Sequence, residues 1–299
     1  MANLRDIRNR IESVQNTQKI TRAMKMVASA KLRKAQNRII ATRPYARKMR
    51  EVVGRLVRSA EGDNVLLRKP ATTERILFIV IGSDRGLCGA FNNNLFKVVQ
   101  SKVEANFKRY LRQKKLSLYT IGKKPTEYFK RRKYPIDQSY SGFFDDLAYH
   151  TTCNIMENVV EEFVRGNYDA VYMAYNEFVT ALTQKRRVQK LLPIDPGKLN
   201  GEPQKKEKSL ATIDYIYEPQ AGNILDHILP KHLNMQLWKA VLNSNAAEQG
   251  ARMTAMDNAT ENANELQEEL RLEYNQARQE AITTEISEIV SGAEALRET

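Results

Sequence analysis

Cysteine and histidine are scarce in this 299-residue chain: two cysteines, Cys88 and Cys153, and three histidines, His150, His227 and His232. Two cysteines exclude a disulfide framework and a four-cysteine zinc site, and three scattered histidines argue against a histidine-rich metal centre. Long apolar runs are missing as well. No stretch approaches the ~20 uninterrupted apolar residues of a membrane-spanning helix. Charged residues at 28% and a mean hydropathy of −0.55 describe a water-soluble chain. The opening MANLRDIRNRIESVQNTQKI has neither an apolar h-region nor a small-residue cleavage site, so no secretory signal is expected. Internal repeats and low-complexity tracts are also lacking. These absences predict a soluble intracellular chain that carries no cofactor.

Charge, by contrast, is abundant and unevenly placed. The net charge is +13. Met1 to Ser59 holds 16 Lys/Arg against 3 acids, Asp6, Glu12 and Glu51, whereas Lys231 to Thr299 holds 6 Lys/Arg against 12 Asp/Glu. A basic beginning and an acidic end in one chain predict that the two ends meet, because opposite charges flanking an apolar seam set partner and orientation in coiled coils. Two separately solvated helix faces are the simpler alternative.

Both ends read as helix. Near the start, Leu4, Ile7, Ile11 and Val14, then Ile20, Met24 and Val27, fall at spacings of three and four. At ~1.5 Å per residue a helix over 1–60 reaches roughly 80 Å, with Pro44 expected to kink it. A proline-free run follows Pro230, and the C-terminal helix is placed at 225–299. Its seam runs through Ala259, Ala263, Leu266, Leu270, Tyr274, Ala277 and Ala281, then Ile282, Ile286, Ile289, Ala293 and Leu296. Two such helices predict an antiparallel coiled coil.

The middle, 75–218, has a different texture. Strands are predicted at Arg75–Gly82, Leu116–Gly122 and Asp169–Glu177, with later candidates at Lys185–Ile194 and Thr212–Tyr217. Helices are predicted near Asn92–Lys114, Pro125–Arg132 and Asp145–Gly166, and Asp195–Ser209 reads as a surface loop. Strands alternating with helices point to parallel βαβ units in an α/β domain.

Candidate chemistry is sparse. Gly82-Ser83-Asp84-Arg85-Gly86-Leu87-Cys88-Gly89 follows a strand and precedes a helix, the setting of a phosphate loop. Its G-x-x-x-G-x-x-G spacing matches neither the dinucleotide fingerprint nor the P-loop, and no lysine follows the last glycine. A tight turn is the favoured reading. Cys88 has no neighbouring histidine and reads as a buried thiol. His150 and Cys153, at i,i+3, supply two ligands where a metal site needs more. The basic N-terminal helix has charge for phosphates, yet Met1–Arg43 contains no aromatic residue for base stacking.

Three separated stretches carry a family pattern: IRNRIESVQNTQKITRAMKMVASAKLRKAQ (Ile7–Gln36), IGSDRGLCGAFN (Ile81–Asn92), and ARMTAMDNATENANELQEEL with YNQARQEAITTEISEIVSGAEAL (Ala251–Leu296). Together they resemble the gamma subunit of F-type ATP synthase, the central rotor shaft, and its bacterial members in particular. The resemblance implies an antiparallel coiled coil of the terminal helices inside a ring of alpha and beta subunits, and a Rossmann-like α/β domain facing the epsilon subunit and the membrane c-subunit ring. It implies rotor–stator contacts at Met24, Lys25, Arg278, Gln279 and Thr283, and a foot contact with epsilon and the c ring at Tyr215 and Glu218. It also implies a non-catalytic subunit that couples proton flow to ATP synthesis or hydrolysis on beta. Such a chain holds no cofactor or metal, binds no nucleic acid, has no membrane span, and sits on the cytoplasmic face of the bacterial inner membrane. Departures lie in the middle: Lys102–Lys115 and Gly122–Lys133 are unusually basic. Two other classes stay open on the sequence, a Rossmann-like nucleotide-binding enzyme and a basic coiled-coil nucleic-acid binder.

Overall fold

The computed structural model describes residues 4–59, 64–68, 70, 73–199, 218 and 220–297. The order of elements is α1 (Leu4–Ser59), a short 3-10 turn (Val65–Leu67), β1 (Ile76–Ile81), α2 (Phe91–Asn106), α3 (Lys108–Arg112), β2 (Leu116–Ile121), α4 (Lys123–Arg131), β3 (Ile136–Tyr140), α5 (Tyr149–Val164), β4 (Ala170–Phe178), β5 (Gln184–Leu192), α6 (Pro196–Leu199) and α7 (Ala221–Arg297). Two compact units emerge, 1–29 with 252–299 and 30–251, so each long helix contributes to both.

In the larger unit, five strands form one sheet in the order β3-β2-β1-β4-β5. The first four run parallel, and β5 is antiparallel to β4. The fully buried ILFIVI of β1 is the apolar run expected of a strand covered on both faces. On one face Ile76, Phe78, Val80, Leu116 and Leu118 pack on Leu95, Phe96 and Val99 of α2 and Phe129 of α4. On the other, Leu77, Ile79, Ile81 and Met173 pack on α5, on Met49, Val53 and Leu56 of α1, and on Leu229, Leu233 and Leu237 of α7. The alternate residues of each strand thus serve two separate cores.

Several expectations are corrected in detail. The helix predicted near Asn92–Lys114 breaks at Phe107, whose φ of −131° ends α2 before α3 begins. The edge strand β3 was not anticipated: Asp137, Gln138 and Ser139 are exposed, so IDQSY lacks the apolar alternation that marks a half-buried strand. α1 continues through Pro44 as expected, whereas α7 starts nine residues before Pro230 and runs through it. A proline's φ suits a helix and only one carbonyl bond is lost; around Pro44 that loss falls on exposed backbone, since Ile40, Ala41 and Arg43 are exposed. The strand candidate Thr212–Tyr217 and most of the loop Asp195–Ser209 lie outside the described residues. No helix among them is long and apolar enough to cross a membrane.

Candidate functional site

In the smaller unit α1 and α7 pair antiparallel, with polar contacts across the pair. Gln18 Nε2 donates to Asn264 Oδ1, the Thr21 and Thr260 hydroxyls lie 2.7 Å apart, and Lys25 Nζ pairs with Asp257. As the α1 number rises the α7 number falls by a matching step, which defines antiparallel pairing. The chain's ends do meet, with the basic helix against the acidic one. Lys25 and Asp257 are both substantially exposed, so their attraction is modest and orients more than it stabilises.

The seam differs from the apolar spacing read along α1. Within this unit most buried and half-buried positions of α1 follow a heptad, Ile7, Val14, Thr21 and Ala28, with Ile11, Gln18 and Lys25 four residues further on, and Gln15 and Met24 half-buried beside it. Ile20 and Val27 stand off it, 59% and 57% exposed. Thr21, Gln18 and Lys25 hold seam positions that their polar identity hides from a search for apolar residues. The heptad count itself was the signal that could have found them. On α7 the buried positions are Met256, Thr260, Ala263 and Leu270, with Tyr274 and Ala277 half-buried, while Leu266 is 38% exposed.

Polar seam layers exchange cohesion for register. Each hydroxyl also lies within reach of a carbonyl of its own helix, Thr21 of Gln18 at 3.0 Å and Thr260 of Met256 at 2.7 Å; with one proton each, one threonine donates across the pair and the other donates to its own carbonyl and accepts. Sliding either helix by a turn would break the cross-helix contact between the two hydroxyls.

Among the expected contact residues, Met24 and Lys25 are half-buried. Arg278, Gln279 and Thr283 are exposed, and Thr283 donates to the Gln279 carbonyl of its own helix at 2.9 Å. Arg278 forms no ion pair among the described residues. Continuing the register brings Leu4 opposite Arg278, so the stretch of α7 after it has outrun α1. The expected seam at Ala281–Ile289 is accordingly open: Ile282, Ile286 and Ile289 are 46%, 56% and 65% exposed. The side chain of Leu296 lies outside those described. Glu218 is exposed, three residues before α7, and Tyr215 lies outside the described residues.

The glycine loop is closed by its own side chains. Asn92 accepts from Ser83 N at 3.1 Å and donates to Ser83 Oγ at 2.7 Å, beside the buried Cys88 thiol. The Asp84 carboxylate accepts backbone N–H groups of Lys123 (2.9 Å), Gly142 (2.7 Å) and Phe144 (2.9 Å), clamping the carboxyl ends of β1, β2 and β3 together. Gly122, at φ +104°, passes so close to Ser83 that a Cβ would meet its carbonyl carbon at 3.0 Å. In open α/β sheets a ligand sits at the carboxyl ends of the strands where the order reverses, here between β1 and β4. That crevice holds α7 instead: Ser244 Oγ donates to the Ile81 carbonyl at 3.3 Å, and Ala247 packs with Cys88 and Phe91. Gly250 lies against the Ala181 carbonyl, with 3.1 Å to where a Cβ would stand. No group of three metal-ligating side chains occurs among the described residues; His150 is exposed and bonds only its neighbour Thr151.

In the larger unit α7 buries further titratable groups, Glu248 and His232 among them. His232 is 4% exposed, and burial, with Arg50 adding repulsion, lowers its pKa to about 4. Its Nε2 faces Gln236 at 2.7 Å. Lys239, seven residues on along the same face of α7, is exposed as a whole residue, and partial desolvation first and Arg50 second lower its pKa.

A family model described as ATP synthase matches residues 3–296. The chain is 47% identical over 298 residues to the ATP synthase gamma chain of Chlorobium phaeobacteroides, covering 99% of each, and 44% identical to that of Salinibacter ruber, covering 100% of this chain and 99% of the other. Among solved structures it is similar to a chain of the Tetrahymena thermophila mitochondrial ATP synthase central stalk and c-ring. There the TM-score is 0.59 at 25% identity, over 80% of this chain and 99% of that one. A chain of the Euglena gracilis mitochondrial ATP synthase shares the fold, with a TM-score of 0.69 at 20% identity over 98% and 94%.

Proposed function

The chain belongs to the ATP synthase gamma chain family, and from that premise we propose that it is the central-stalk rotor subunit that couples proton flow through the membrane ring to ATP synthesis or hydrolysis on the beta subunits. The observation that carries the reading is the full-length family match, joined to an antiparallel helix pair whose α7 strand outruns α1. A rotor needs a stiff element with an asymmetric surface. The heptad seam supplies stiffness, and its polar layers keep the two helices in one register.

Chemistry resides on beta, and this chain transmits free energy without catalysing a reaction. Each angle of the shaft offers different contacts to three equivalent beta subunits and so favours a different conformation in each, which is population shift by differential affinity. Met24 and Lys25 on α1, and Arg278, Gln279 and Thr283 on α7, face the stator. Tyr215 and Glu218 meet epsilon and the c ring, through which each proton charge delivers about 2.3 kcal/mol per 100 mV. The location that follows is peripheral, at the cytoplasmic face of a bacterial inner membrane. Exposed isoleucines at 282, 286 and 289 support enclosure of that end of α7 by other subunits, since contiguous apolar surface marks interaction sites.

The test is copurification: the tagged full chain, drawn from detergent-solubilised membranes, should bring alpha, beta, epsilon and c subunits in fixed proportion. Recovery of the chain alone, or with nucleic acid, would sink the reading. Titration of the purified chain with ATP should give no heat, because the strand-end crevice is filled by α7.

A further inference from the structure

Basic residues absent from the function above crowd one corner of the larger unit. β2 and β3 are neighbours, with Leu118 paired to Ile136. The chain enters these strands through Lys114-Lys115 and through Lys133, at the amino ends of the parallel strands. Lys108, Arg109 and Arg112 of α3 precede the first entry, and Lys130 and Arg131 of α4 the second. All of these are exposed except Lys115, which is half-buried. Among the described residues Lys115 pairs with Glu74 at 3.1 Å, Arg131 lies within electrostatic reach of Glu127, and Arg132 lies over the Tyr128 ring at 3.6 Å.

Acids at this end of the sheet are fewer than the cations: Asp169, Glu161 and Glu162 lie toward β4, while Asp137 on β3 and Glu104 of α2, which acts on Tyr134, lie at the corner itself. Asp169 accepts the N–H groups of Glu74 and Arg75, and Glu161 and Glu162 hold Arg165. Asp137 accepts from the Tyr168 hydroxyl. The β2–β3 corner therefore keeps an unbalanced positive field.

Two backbone features set this corner apart. Lys114 and Lys133 both have left-handed φ, 55° and 58°, just after α3 and α4. That position favours glycine. Lysine occupies it twice, side by side, where a glycine would fit without strain.

The corner also has a direction within the unit. Leu192 at the end of β5 pairs with Val171 near the start of β4, so β5 leaves the sheet at this same end. Ile194 N donates to the Leu66 carbonyl, and Asn64 reaches Asp226 at the start of α7. The described residues on either side of the foot assignment, Ile194 and Asp226, thus both lie at the end of the sheet that carries the cations.

We propose that this basic corner at the amino ends of β2 and β3 binds the anionic phospholipid surface of the membrane that holds the ring. The inference rests on the foot assignment for its direction and on charge complementarity for its partner. A bilayer suits the arrangement because the exposed cations are spread over the ends of two helices, as a diffuse array of headgroups requires. Each lysine or arginine near such a surface strengthens binding by about fivefold.

The experiment uses the purified full chain and vesicles of phosphatidylcholine with or without roughly one-third phosphatidylglycerol. The test variant combines Lys114→Gly, Lys133→Gly, Arg112→Gln and Arg131→Gln; the two glycines suit the left-handed backbone, so folding is preserved and checked by melting. A second variant, Arg33→Gln with Lys34→Gln and Arg38→Gln, removes charge from α1. Wild-type chain should sediment with the anionic vesicles only, less so as salt shortens the Debye length from about 14 Å to about 6 Å. The test variant should lose at least tenfold in affinity and the α1 variant far less. Equal losses in both, no preference for the anionic vesicles, or capture of RNA or an acidic protein in place of vesicles would overturn the proposal. Copurification of the test variant with the other subunits separates the two readings: normal assembly without vesicle binding leaves the rotor role standing, and failed assembly of the wild type removes that role first.

Discussion

Replacing Asp84 by alanine tests whether the glycine loop is a clamp. Its carboxylate accepts three backbone N–H groups from two other strand-end loops, and two of these bonds are exposed. A bond to a charged acceptor contributes about 1.5–3 kcal/mol when buried, and exposed ones less, so the three together contribute about 3 kcal/mol. The larger unit spans residues 30–251, and for a unit of that size each kcal/mol moves the melting temperature by about 2–4 °C. The expected fall is therefore roughly 6–12 °C. Trp238 offers a convenient probe, since its ring packs edge-on against Tyr149 at 5.7 Å. Asp84→Asn should fall between the two, because one oxygen can still serve Lys123 and Gly142 while the amide faces the Phe144 N–H. A melting temperature for Asp84→Ala within 1 °C of wild type would refute the clamp and reopen the loop as a binding element.

Other outcomes follow from the same geometry. His232 has a folded pKa of about 4 against 6.5 unfolded. The neutral ring's contribution is full above pH 6.5 and is lost as pH falls toward 4, by about 3 kcal/mol in all; denaturant titrations of His232→Leu should show a flatter acid limb, and an unchanged slope would refute the assignment. Met24→Lys should lower protons pumped per ATP in the assembled complex while shifting the midpoint of unfolding little, since Met24 is only half-buried; wild-type coupling would remove it from the stator contact. Arg278→Ala with Gln279→Ala should leave the melting curve intact, both side chains being exposed, and reduce steady-state ATP turnover in the complex; normal turnover and pumping with full assembly would count against both residues. Leu270→Ala, at a seam residue 3% exposed, should cost about 2–5 kcal/mol, and a loss under 1 kcal/mol in chemical denaturation would mean that the seam is looser than the heptad implies.

The sequence by itself determined the large features: helices at both ends, opposite charge that makes those ends meet, and alternating strands and helices between. Each is set by local periodicity or by net charge, quantities that need no partner to be read. Arg75–Gly82 was legible as β1 because a strand buried on both faces must be apolar throughout. β3 was not, because an edge strand with exposed residues has no pattern to reveal it. Only the tertiary structure placed Thr21 opposite Thr260 and Asp84 beneath three strand ends. Those contacts join residues far apart in the chain, and a polar side chain declares its partner only when the fold delivers one. Likewise α7 across the mouth of the sheet decides what the glycine loop is. The same eight residues cradle a phosphate or close a turn according to what packs on them, and here Ser244 and Ala247 fill the place.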